Sequence, residues 1–89
     1  MNDQISMKNI ENAKVLQLKE LVEYQAGQVV SKTLAQNNHV SLTLFAFSPN
    51  EEISSHVSHG VAMASVLDGL AEITIGNEKF QLNAGETIV

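Results

Sequence analysis

Eighty-nine residues, 44% apolar and 17% charged with no cysteine, describe one small globular domain that has neither a disulfide staple nor a thiolate metal site. The formal charge of −5 disfavours nucleic acid and anionic membrane surfaces, which select basic patches. No apolar run reaches the roughly 18 residues of a membrane-crossing helix, and the N-terminus lacks a charged-then-apolar leader pattern, so the expected setting is soluble and cytoplasmic.

In chain order, 1–12 is polar and without periodicity, and reads as a flexible lead. The run Ala13-Lys14-Val15-Leu16-Gln17-Leu18 has the composition of a short strand. Leu18, Leu21 and Val22 then fall at i, i+3 and i+4, which predicts one or two helical turns ended by Gly27. From Gln28 the period becomes two. Strands are predicted over 28–36 and 40–47, separated by the turn residues Gln36-Asn37-Asn38-His39. His39 in that turn reads as a solvated loop histidine. Phe45 and Phe47 leave the second strand apolar on both sides, as expected of a strand buried on both faces. Ser48-Pro49-Asn50 stops it, because proline cannot donate to a ladder.

Further strands are expected over 53–58, 61–67, 70–75 and 78–83. Gly76-Asn77 marks a two-residue hairpin, with Ala71, Ile73, Ile75, Phe80 and Leu82 facing inward and Glu72, Thr74, Lys79 and Gln81 facing water. Short strands at this spacing, with turn signals between them, indicate an all-β barrel or sandwich. Glu51 and Glu52 belong to a solvated turn. Met63, Val66 and Leu67 read as core.

The stretch 50–69 carries His56 and His59 and closes on Asp68-Gly69. Its order of parts resembles the first conserved motif of the cupin superfamily: Gly, five residues, His, one residue, His, three or four residues, Glu, six residues, Gly. Anchored on His56 and Gly69, the resemblance puts Asn50 at the opening glycine, Ser58 at the second histidine and Ala62 at the glutamate. Asn tolerates turn geometry. Ala84-Gly85-Glu86-Thr87-Ile88-Val89 is similar to the opening of the second motif. The resemblance covers 14–89 and is nearest to small single-domain bacterial cupins of unassigned function. In those the stretch after the first histidine often runs Pro-Gly-Asp-Ala-Met, where this chain has His59-Gly60-Val61-Ala62-Met63.

The resemblance implies an all-β, incomplete cupin-type jelly-roll barrel (a double-stranded β-helix) over 13–89, with a short helical turn near the N-terminus. The chain stops four residues past Gly85, so the last ligand and the closing strands are expected to be missing and a homodimer joined through sheet edges is expected to cover the gap. Residues i and i+2 of a strand share a side, which is how the motif aims two imidazoles at one metal. With Ser58 and Ala62 substituted, only His56 of the three remains, and a stable divalent site needs about three protein ligands. His59, at i+3, points to the other face unless the chain bends at Gly60. The candidate metal residues are therefore His56 and His59. No cofactor is expected beyond weakly held Zn, Ni, Mn or Fe, and no catalytic residue is assigned.

Three functions compete. The first is a non-catalytic or weakly active module that binds a small polar or sugar-like molecule. The second is a metal-dependent enzyme of isomerase or dioxygenase type using His56. The third is a structural or regulatory protein defined by its dimer interface. The broken ligand set favours the first.

Overall fold

A computed structural model describes residues 6–52 and 61–89. The described residues are nearly all β, with one 3₁₀ turn among them at Leu18–Glu20. It divides into two compact units, Met1–Ser54 and Ser55–Val89.

The first unit is built on one antiparallel sheet in the order β1-β2-β3, formed by Ser6–Met7 (β1), Val29–Gln36 (β2) and Ser41–Phe47 (β3). The long pair β2–β3 follows the predicted strands within one residue at each end. Directly opposed residues share a face. Val30 with Ala46 and Lys32 with Leu44 line one side, and Val29 with Phe47 and Ser31 with Phe45 line the other. The ladder then slips. Thr33 pairs with Thr43 but Ala35 with Leu42, so Leu34 is the extra residue of a β-bulge. That insertion lets two consecutive residues, Leu34 and Ala35, both become buried, which a regular strand forbids. With Leu44 and Ala46 they form the core of the unit.

The expectation that 40–47 would be buried on both faces is corrected. Leu44 and Ala46 are buried, whereas Phe45 and Phe47 stack at 5.8 Å and remain 46% and 37% exposed. Burial follows the Leu44 side, where Lys32 Nζ donates to the Leu21 carbonyl and ties the 3₁₀ turn to the sheet. The sheet also begins earlier than the lead 1–12 suggests. Ser6 pairs with Gln36 and Met7 with Ala35, the Lys8 N–H donates to the Leu34 carbonyl at 2.7 Å, and Asn9 Nδ2 donates to the Thr33 carbonyl at 2.8 Å. The strand composition of 13–18 yields no strand. Ala13 turns the chain with φ of +55°, and no described strand pairs with residues 14–18. Composition supplies propensity, but a ladder needs a neighbour.

Ser48 closes β2–β3. Its buried hydroxyl accepts from the Gly27 N–H at 3.1 Å, and its own N–H donates to the Gln28 carbonyl at 3.1 Å. The His39 turn is as expected. The Asn37 side-chain oxygen accepts from the His39 and Val40 N–H groups, and His39 is exposed.

Among its described residues the second unit holds two antiparallel pairs. Leu70–Ile75 (β5) and Glu78–Asn83 (β6) form the predicted hairpin, in a register that opposes Ala71 to Leu82 and Ile73 to Phe80. Of the two turn residues only Gly76 takes positive φ, the II′ arrangement that matches strand twist. Leu82 is buried; Ala71, Ile73 and Phe80 are half-buried. Ile75 departs from its expected inward placement: it lies at the open end opposite Glu78 and is 48% exposed. Ala64–Ser65 (β4) pairs with Thr87–Ile88 (β7). The strand expected over 61–67 is thus only two residues long, and Met63 and Leu67, expected in the core, are exposed because this short pair covers neither.

Candidate functional site

The expected metal residues His56 and His59, and the strand expected over 53–58, lie outside the described residues. Described on either side of them in sequence are backbone turns. Asn50 has φ of +67°, Gly69 of +80° and Gly85 of +91°. These are the positions where the sequence motifs call for a turn-forming residue. A side chain in this region costs about 1–2 kcal/mol, which Gly avoids and Asn reduces by local hydrogen bonding. A Cβ placed on Gly69 or Gly85 meets no atom within 4 Å, so both glycines serve backbone direction rather than close approach. Asn50 therefore does the work of a motif glycine.

The second unit brings the two motif segments together. Ala64 lies opposite Ile88 and Ser65 opposite Thr87. The Val66 N–H donates to the Glu86 carbonyl at 3.0 Å, and the Gly85 N–H to the Val66 carbonyl at 2.8 Å. The opening of the second motif thus runs antiparallel to the chain just after Ala62. Two features here escaped the sequence reading. The Ser65 and Thr87 hydroxyls meet at 2.7 Å, and a Glu86 carboxylate oxygen accepts from the Asn83 N–H at 2.7 Å and its side-chain amide at 3.3 Å. Asn and Glu three residues apart around Ala-Gly was the available signal.

Ala62, which the resemblance puts at the position of the motif glutamate, is exposed. Among the described residues no three His, Asp or Glu side chains come together as a metal-binding group. Glu51 and Glu52 are exposed, with the Glu51 N–H donating to the Ser48 carbonyl, as a solvated turn requires.

The first unit has its own concavity. An open groove of about 680 Å³ lies between 9–21 and β2, with Asn9, Lys14, Leu16, Glu20 and Lys32 in its walls. A second, of about 430 Å³, lies across Leu21 and Lys32. Lys32 is common to both, with its ammonium engaged by the Leu21 carbonyl.

No protein-family model and no curated protein matches the sequence. Solved structures do. A conserved protein of unknown function from Streptococcus pyogenes is 41% identical over 98% of this chain and 76% of its own, with a TM-score of 0.89. A cupin superfamily protein from Desulfitobacterium hafniense is 31% identical over 93% of this chain and 76% of its own, with a TM-score of 0.87. The strand order, the turn geometry and these likenesses define a cupin-type β fold. The chain belongs to the cupin superfamily. No described helix is long and apolar enough to cross a membrane.

Proposed function

We propose that this chain is a cupin-type small-molecule binding domain, non-catalytic or weakly active, that works in the cytoplasm as a homodimer. The observation that carries the reading is the donor set. Of the three ligand positions in the first motif only His56 keeps its residue, while Ser58 and Ala62 replace the others. One imidazole holds a divalent ion too weakly to act as a resident cofactor. The turn framework at Asn50, Gly69 and Gly85 is kept, which supports a fold retained for shape after its metal chemistry is lost. A small polar or sugar-like ligand is held by hydrogen-bonding groups and needs no Lewis acid. Dimerisation is supported by exposed large apolar side chains, among them Val15, Val61, Met63 and Val89, 71% or more exposed in the single chain.

The competing reading is a metal-dependent isomerase or dioxygenase. What favours it is a second histidine, His59, three residues after His56 and followed by Gly60. Metal analysis of protein purified without a histidine tag separates the two. The binding-domain reading expects less than about one tenth of an equivalent of Fe, Mn, Ni or Zn, together with stabilisation by members of a panel of small sugars and polar acids in a thermal-shift screen. Near-stoichiometric metal would overturn it.

A further inference from the structure

The groove between 9–21 and β2 carries two opposite charges that do not meet. Lys32 stands opposite Leu44, on the buried side of the sheet, and is itself half-buried. Its ammonium has three donors, of which the Leu21 carbonyl takes one. Glu20 and Lys32 both line this groove of about 680 Å³ and the adjoining one of about 430 Å³. Among the described residues, however, neither side chain has an ion pair, and the Glu20 carboxylate has no hydrogen-bond donor. The other two charges of the larger groove, Glu11 and Lys14, do meet, at 3.4 Å. Ile10, Leu16 and Leu21, all half-buried, supply its apolar lining.

We propose that this groove binds a free α-amino acid with an apolar side chain. The carboxylate takes the unused donors of Lys32, the ammonium reaches Glu20, and the side chain lies on Ile10, Leu16 and Leu21. The volume falls within the range of about 300–1,000 Å³ typical of small-molecule sites. Every residue of the site lies within the first unit. None belongs to the motif stretch 50–69, so the site stands or falls apart from the binding reading given above.

Charge selects the zwitterion over either of its halves. The chain carries −5 overall, which repels a simple carboxylate before it reaches Lys32. A simple amine is attracted, but it leaves the half-buried ammonium without a counter-ion. An amino acid has no net charge and satisfies both walls at once. Its contact with Lys32 is worth more than an exposed pair, because a half-buried ammonium is already partly withdrawn from water. The wall facing β2 is fixed by its backbone. Asn9 and Ala13 turn it with φ of +59° and +55°, and Asn9 Nδ2 ties it to the Thr33 carbonyl at 2.8 Å.

Titration of ¹⁵N-labelled protein with L-leucine, L-methionine and L-phenylalanine, followed by amide chemical shifts, reads affinity and place together. At least one is expected to bind with a Kd below about 1 mM, with shifts confined to 9–25 and 29–34. The N-acetyl derivative of that amino acid lacks the ammonium and its amide lacks the carboxylate. Each is expected to bind at least about tenfold more weakly. Glu20 is exposed, so Glu20→Gln keeps the fold; it is expected to weaken the amino acid by about tenfold and leave the N-acetyl derivative unchanged. Lys32→Met is expected to remove binding, whereas Lys32→Arg, which keeps the charge and a donor for Leu21, retains it. His56→Ala is expected to change nothing. The site is overturned by the absence of saturable shifts at about 10 mM of all three, by equal binding of the blocked derivatives, or by Glu20→Gln without effect. Loss of binding in His56→Ala overturns it as well, by placing the amino acid in the motif stretch.

Discussion

The β2–β3 pair of the first unit and the β5–β6 hairpin of the second are both regular antiparallel ladders, yet they bury very different amounts. The first contributes Leu34, Ala35, Leu44 and Ala46 to a core; the second contributes Leu82. The difference lies in the bulge and in the covering segment. Leu34 is inserted into its ladder, so two adjacent side chains are buried, and the chain at 18–21 is tied to the same sheet through Lys32. The hairpin has clean alternation and a strong turn, but its inward residues Ala71, Ile73 and Phe80 are half-buried. Ladder regularity and core quality are separate properties, and only the second is set by what lies over the sheet.

The comparison breaks most directly at its two buried leucines. Leu34→Ala is expected to cost about 3 kcal/mol, from lost apolar transfer and a cavity that a close-packed bulge cannot collapse. Leu82→Ala is expected to cost about 2 kcal/mol, because its cross-strand neighbour Ala71 is small and half-buried and the site can relax. Urea denaturation at one fixed protein concentration measures both. Equal costs would show that the hairpin is as well packed as the bulged sheet.

The turns come next. Gly69→Ala is expected to cost about 1 kcal/mol through its left-handed backbone alone, since the added methyl meets nothing. Asn50→Gly in the first unit is expected to change stability by less than about 0.5 kcal/mol, since both residues accept that geometry. Were Asn50→Gly strongly destabilising, the Asn50 side chain would have a role beyond the turn. The tie at Lys32 is smaller in reach. Lys32→Met keeps the apolar stem and removes the donor to the Leu21 carbonyl, with an expected cost of about 1 kcal/mol. Faster amide exchange should then be confined to 18–22. Unchanged exchange there would show that the 3₁₀ turn is held by packing instead.

Turns were legible in the sequence because positive φ leaves a residue signature, and Asn50, Gly69, Gly76 and Gly85 all carry it. Strand limits at β2, β3, β5 and β6 were legible from period-two patterning and Pro49. The bulge was not, because Leu34-Ala35 within an alternating run looks the same whether the second residue faces in or out. The run 13–18 misled because β-propensity reports suitability for a ladder and says nothing about whether a partner is present. Met63 and Leu67 misled for a related reason, since apolar composition became burial only where another strand covered it. At the site, the motif spacing revealed the frame and the substitutions at Ser58 and Ala62. The pairing of Ser65 with Thr87 depended on a register that only the fold supplies.

A cupin frame kept without its resident metal is the reading on which the proposed function stands. Calorimetric titration of tag-free protein with Zn²⁺, Ni²⁺ and Mn²⁺, repeated on His56→Ala, tests it most directly. The expected result is no site tighter than about micromolar, where binding is worth about 8 kcal/mol, and no difference between wild type and variant. A stoichiometric nanomolar site that His56→Ala abolishes would contradict it.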